Sequence, residues 1–249
     1  VGAASVNVRN VKMLIEYDGS DFCGWQRQPR VRTVEGEIAS VLGGLEGSEP
    51  EIIAAARTDS GVHALGQVVN FSSVSSIDPG DLKNALNSLL PADVRIVDAA
   101  QVPLAFNARF DATKRSYRYE ISRRPTSVWR RHRWHVKWDL DVDAMRTALE
   151  SLVGSHDFSA YTSKDEERNP WIDIKEAGIE EIEPSGIAIV LAANRFLRKM
   201  VRMLTGTVVE VGRGKLEPGA VYDILSTRDR NRAGPCAPPH GLYLVSVEY

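Results

Sequence analysis

The sequence predicts an α+β fold made of two successive halves, each running β-α-β-β-α-β. Three observations lead there: alternating β-branched runs of strand length, helix-period segments opened by Asp or Thr caps, and the same element order in both halves. Residues 11–17 alternate as a strand, and Asp18-Gly19 turns the chain directly after it. Thr33 caps a helix from Val34 to about Leu42, with Glu35 and Glu37 near its N-terminus, where the helix dipole favours carboxylates. Strands follow near residues 52–56 and 67–71. Asp78 caps a helix over residues 79–90 that Pro91 stops, and residues 94–99 close the half as a strand.

The second half repeats the order loosely. Residues 116–122 read as a strand, 142–153 as a helix behind Asp141, and 174–182 and 186–193 as two strands. A helix over 198–211, a short one over 218–226 and a last strand over 241–249 complete it. This is the split β-α-β arrangement of ferredoxin-like folds, here duplicated, with antiparallel or mixed sheets expected to join around a central cleft. The expected division is a flexible tail over residues 1–10, an N-terminal half over 11–105 and a C-terminal half over 106–249.

Composition excludes several classes. With 43% hydrophobic and 26% charged residues, 19 Gly and 12 Pro, the chain lacks the signatures of collagen-like, low-complexity or disordered sequences. Its longest apolar run, residues 187–193, is far short of the ~20 residues that cross a bilayer, and no secretory signal is visible at its start. A soluble, cytoplasmic protein is expected. The two cysteines, Cys23 and Cys236, lack the spacing of a disulfide framework or zinc site, and His132 and His135 have no further ligand cluster near them in sequence. No metal is expected.

Net charge is only −2, but it is unevenly distributed. Residues 109–137 carry ten Lys/Arg against two acids, and residues 195–215 six against one, so these windows hold +8 and +5 and the remainder −15. The first window interleaves its cations with Phe110, Tyr117, Tyr119, Trp129 and Trp134. Cations hold phosphates and aromatic faces stack on unpaired bases, so this is a composition suited to RNA; a solvated strand and loop with core-facing aromatics would read the same way.

Between the strands of the first half lies Arg57-Thr58-Asp59-Ser60-Gly61-Val62-His63-Ala64. By itself Asp59-Ser60-Gly61 is a plausible tight turn, with Arg57 a surface partner. Its context is more specific. The chain also carries Glu16-Tyr17-Asp18-Gly19-Ser20, Gly24-Trp25-Gln26-Arg27-Gln28, Gly66-Gln67-Val68-Val69, Phe106-Asn107-Ala108-Arg109-Phe110, Lys114-Arg115-Ser116-Tyr117-Arg118-Tyr119, Asn194 through Arg202, and Gly241-Leu242-Tyr243-Leu244-Val245. In this order the blocks closely resemble the tRNA pseudouridine synthase family of the TruA type, over residues 11–249.

The resemblance implies isomerisation of uridine to pseudouridine in the anticodon stem-loop of tRNA, at positions 38, 39 and 40, without metal or organic cofactor, by a homodimer. Asp59 matches the family's essential aspartate and is assigned as nucleophile, at C1′ of the ribose or C6 of the base, with an elimination route left open. Arg202 matches the arginine paired with it, which would keep the carboxylate ionised. Tyr117 matches the active-site tyrosine, whose ring stacks on uracil with its hydroxyl near C5; Tyr119, on the same strand face, is read as structural. Arg57 matches the arginine that helps flip the base from its stack, and Leu242 is a candidate for the uracil pocket or the core. The expected RNA contacts are Arg115, Arg118, Arg198, Lys199, Gln26 and Arg27. Two departures bear on target choice: residues 164–172 are more acidic than the comparable family loop, with Ile172 where an arginine is common, and Arg198-Lys199 stands where many members carry a histidine.

Two rival readings remain. Tyr17-Asp18-Gly19-Ser20 is similar to the end of an aspartate-nucleophile phosphohydrolase motif, but that chemistry wants a second aspartate two residues earlier and a magnesium site, whereas position 16 is Glu16 in a strand without that context. A tRNA-binding module without catalysis would use the same cations but would have no need of Asp59.

Overall fold

The computed structural model describes residues 8–163 and 169–249 in an α+β arrangement with two units. The first runs to Ala112 and includes Tyr249; the second spans Thr113–Glu248. The acidic stretch 164–168 and most of the expected N-terminal tail lie outside the described residues.

In the first unit the order is β1 (Arg9–Tyr17), α1 (Val34–Glu46), β2 (Ile53–Ala54), β3 (His63–Ser73), α2 (Pro79–Leu89) and β4 (Val94–Val102). The strands lie β4-β1-β3-β2, each pair antiparallel. Val11, Met13 and Ile15 alternate inward along β1, because side chains two apart share a sheet face. The apolar stripes of the helices, Ile38 and Leu42 on α1 and Leu82 and Leu86 on α2, are fully buried. Removing each such side chain from water stabilises the unit by about 1.5–3 kcal/mol before entropy is counted. Both expected caps form: Thr33 accepts from Gly36 N and Asp78 from Gly80 N. Helix α1 runs four residues past its expected end, to Glu46, and Gly47 after it, at φ 82°, closes it.

The second unit comprises β5 (Lys114–Ser122), β6 (Trp134–His135), α3 (Val142–Glu150), β7 (Gly154–Asp157), β8 (Trp171–Ile182), β9 (Gly186–Ala193), α4 (Met200–Gly212), α5 (Ala220–Thr227) and β10 (Leu242–Glu248). Its main strands lie β10-β5-β9-β8-β7, all antiparallel, and β6 adds a short parallel pairing to β5. Helix α3 packs against α4, α5 and β8; a Cβ at Gly212 would meet Met145 Sδ at 2.5 Å, so glycine permits the approach of α4 to α3.

The differences from expectation are local. Helix α4 starts at Met200 because Lys199 takes a left-handed φ of 63°. Helix α3 stops at Glu150, where Leu152 N turns back to the Leu149 carbonyl. Strands β6 and β7 are too short for their alternation to register in sequence. Ile172, the departure from the family pattern, is fully buried on β8 opposite His156. Among the described residues no helix is long and apolar enough to cross a membrane.

Candidate active site

In the first unit Asp59 stands at the start of a turn between β2 and β3. Val62 N donates to the Asp59 carbonyl at 3.2 Å, and Gly61 takes φ 77°, a value that favours glycine. Asp59 is half-buried, Thr58 beside it is buried and Arg57 is exposed.

The turn is gripped by the segment that follows β1. The Phe22 carbonyl accepts from Ser60 Oγ at 3.1 Å and from Gly61 N at 3.3 Å, and Trp25 N donates to the Thr58 carbonyl at 3.1 Å. The hydroxyls of Tyr17 and Thr58 share a buried hydrogen bond of 2.8 Å. Gly24, at φ 93°, lies so close that a Cβ would stand 2.8 Å from the Thr58 oxygen and 3.2 Å from the Asp59 carbonyl carbon. Gly19 lies closer still, its would-be Cβ 1.9 Å from the Val62 oxygen. The gripping segment is itself braced by Arg32, whose guanidinium lies 4.1 Å from the Phe22 ring centroid. Arg32 donates to both Asp93 oxygens, at 2.7 and 2.9 Å, and to Glu37 at 2.7 Å, and these carboxylates hold its pKa well above the usual arginine range. Gln26 Nε2 and Arg27 N both donate to Glu35 Oε2, at 2.7 and 2.6 Å, and the Arg27 guanidinium pairs with Glu49.

In the second unit Tyr117 and Tyr119 project from β5. Tyr117 is 8% exposed, lies in register with Leu244 and Leu191, and meets the Phe196 ring edge-on at 5.0 Å. Strand β10 bulges between Leu244 and Ser246, beside the Tyr117 pairing; such bulges re-aim side chains. Tyr119 is fully buried, donates its hydroxyl to the Pro238 carbonyl at 2.7 Å and pairs with Leu242 in register. Burial pushes its phenol well above the ordinary range, while Arg202 pulls the other way. Leu242 is 6% exposed.

Arg202 stands in the first turn of α4. Its Nε donates to the Ala237 carbonyl at 2.8 Å and its carbonyl accepts from Ala237 N at 3.0 Å, so a strap from Gly234 to Ala237 fixes it on both sides. Gly206 lets the strap lie against the helix, since a Cβ there would stand 1.7 Å from the Pro235 oxygen. Arg198 and Lys199 are exposed just before α4. Arg115 is 8% exposed and donates to the Asn194 carbonyl at 2.8 Å; Arg118 pairs with Glu120 at 3.2 Å.

The first unit therefore brings Arg57, Asp59 and the Gln26–Arg27 segment into one braced region, and the second gathers Tyr117, Leu242 and Arg202 around β5, β10 and α4. Sequence reasoning missed Phe22, Arg32 and the 234–237 strap. Only Gly19 and Gly24 hinted at the close approach, since a glycine without an obvious turn often marks one.

Comparison with known proteins bears on what such an arrangement does. The sequence profile described as tRNA pseudouridine synthase matches residues 13–111 and 148–249. Those segments contain Arg57, Asp59, Arg202 and Leu242, whereas Arg115, Tyr117 and Arg118 lie between them. Curated relatives named tRNA pseudouridine synthase A align along nearly the whole chain. The protein from Caldicellulosiruptor bescii is 41% identical over 97% of this chain and 100% of its own. That from Acetivibrio thermocellus is 42% identical over 97% and 100%, and that from Moorella thermoacetica 42% over 96% and 99%.

Proposed function

The chain belongs to the tRNA pseudouridine synthase family, whose reaction is the isomerisation of uridine to pseudouridine in tRNA, and we propose that it acts on the anticodon stem-loop, at positions 38, 39 and 40, with Asp59 as nucleophile on a flipped-out uridine. The observation that carries the Asp59 assignment is the bracing of its turn by Tyr17, Phe22 and Trp25. A nucleophile needs a fixed approach to its carbon, and misplacement by about 1 Å costs on the order of a hundredfold in rate.

The chemistry balances without an outside reagent. The Asp59 carboxylate attacks C1′, and the C1′–N1 pair leaves with the uracil. The ring turns so that C5 faces C1′; C5 attacks, expelling the carboxylate. Loss of the C5 proton restores the ring and a proton is taken up at N1, giving pseudouridine and the original Asp59. Attack at C6 of the base is the alternative opening step. Arg202 pairs with the Asp59 carboxylate, Tyr117 stacks on the uracil with its hydroxyl near C5, Leu242 lines the pocket and Arg57 fills the gap left by the flipped base. Gln26, Arg27, Arg115, Arg118, Arg198 and Lys199 contact the RNA backbone. No metal or organic cofactor takes part, and the enzyme works in the cytoplasm as a homodimer.

Both units follow one plan, which supports the duplicated ferredoxin-like reading: β4-β1-β3-β2 in the first is matched by β10-β5-β9-β8 in the second. Residues 11–105 carry the catalytic loop and 106–249 the basic strand and helix.

The reaction is tested with tRNA transcripts tritiated at C5 of uridine, in EDTA. Pseudouridine formation releases that tritium to water, and chromatography of the isobaric nucleosides with carbodiimide mapping locates the product. Tritium release with product at 38, 39 or 40 is expected. Product elsewhere refutes the site choice, and no product refutes the activity.

A further inference from the structure

The loop joining β5 to β6 carries chemistry that the proposed reaction does not use. From Arg123 through Arg133, ends included, there are five arginines and no acid, and Arg124, Val128, Trp129 and Arg130 are exposed. An indole that is 38% exposed at a loop tip would ordinarily be mobile, but this one is mounted. The guanidinium of buried Arg133 lies 4.5 Å from the Trp129 ring centroid, and Glu120 Oε2 holds Arg133 Nε at 2.8 Å. The Trp129 carbonyl accepts from His132 N at 2.9 Å and Arg133 N at 2.8 Å, while Trp129 N donates to Thr126 Oγ1 at 3.3 Å. Arg130 Nη1 closes the loop on the Ser127 carbonyl at 2.8 Å.

A cation on a rigid mount beneath an aromatic ring, with further cations beside it, fits a planar group attached to an anionic chain. A lipid surface fits less well: the exposed apolar side chains of the loop are Val128 and Trp129, and interfacial binding calls for an amphipathic helix with a wide apolar face. We propose that Trp129 is a stacking platform for an unpaired base of the RNA substrate, separate from the reacting uridine, with Arg124 and Arg130 on the flanking phosphates. The proposal rests on tRNA being the substrate. The loop lies in the stretch between the two segments that the family profile matches.

The test is equilibrium binding of an unmodified tRNA transcript across a salt series, with the full chain and its variants W129L, W129F and R124Q/R130Q. Leucine keeps apolar bulk over Arg133 but has no π-face, whereas phenylalanine keeps the face. Stacking on one base is worth enough that W129L should weaken binding about tenfold with an unchanged salt slope, and W129F should stay within about threefold. R124Q/R130Q should lower the logarithmic salt slope by roughly 1–2, the release of counterions from two phosphates. If W129L bound tRNA as tightly as the unsubstituted chain, which itself bound and converted tRNA, the platform would be refuted while the activity stood. Trp129-dependent binding to phosphatidylserine vesicles or Trp129-dependent self-association, with tRNA affinity unmoved, would refute it equally. Failure of the unsubstituted chain to bind tRNA would overturn the substrate reading and the platform together.

Discussion

Replacing Gly24 with alanine tests whether close backbone approach fixes the Asp59 turn. At φ 93° an L side chain pays about 1–2 kcal/mol. The new Cβ would stand 2.8 Å from the Thr58 oxygen, about 0.6 Å short of ordinary contact, against backbone that cannot rotate aside. Overpacking of this kind adds about 1–3 kcal/mol, for a total near 3 kcal/mol. For a chain of this size that lowers Tm by about 6–12 °C. The displacement falls on Thr58, Asp59 and Ser60, so turnover should drop about tenfold or more even well below the new Tm. Gly44 in α1 supplies the contrast: a Cβ there meets nothing within 4 Å, so Gly44→Ala should stabilise by about 0.5–1 kcal/mol and leave turnover unchanged. Thermal melts read the first quantity and initial rates of tritium release the second. A Gly24→Ala protein that melts with the unsubstituted one and turns over fully would refute the reasoning.

Three further perturbations test other parts of the account. Tyr17→Phe removes the buried 2.8 Å hydroxyl pair with Thr58; chemical denaturation should show a loss of about 1 kcal/mol, and kcat should fall with KM for tRNA preserved, whereas an unmoved midpoint would contradict the bracing. Arg198→Gln with Lys199→Gln, both exposed before α4, should weaken tRNA binding and reduce its logarithmic salt slope by roughly 1–2; an unmoved slope would show that these cations do not meet phosphate. His240, in the short turn before β10, has its pKa lowered chiefly by burial. The unfolded chain therefore takes up a proton more readily than the fold, so the stability linked to His240 is present above about pH 6.5 and is lost as pH falls through the lowered folded value. Tm of the unsubstituted protein should then fall more steeply than that of His240→Gln between pH 7.5 and 5.5; parallel curves would refute the assignment.

The sequence carried the elements wherever a cap or a period announced them. Thr33 and Asp78 each placed a helix start within the same residue, because a capping side chain leaves its signature in one position. Strand β9 matches its expected span, since its apolar run is bounded by Gly186 and Asn194. Strands β6 and β7, of two and four residues, follow from tertiary pairing and left no period to read. The start of α4 depends on one left-handed residue, Lys199, whose side chain gives no hint of it. At the candidate site the motif blocks single out Asp59, Tyr117 and Arg202 as candidates, and substitution of Asp59 puts the choice of nucleophile to the test. Phe22 was not legible, because it acts through its backbone carbonyl, which any residue supplies. Arg32 was not, because its partner Asp93 is 61 residues away.

The most direct test of the central claim is turnover and tRNA affinity measured side by side for the unsubstituted chain and Asp59→Asn, a change that keeps the side chain's size and removes its charge. The account predicts no pseudouridine from the variant, with tRNA affinity within about tenfold, or ~1.4 kcal/mol, of the unsubstituted chain. Undiminished pseudouridine formation by Asp59→Asn would contradict it.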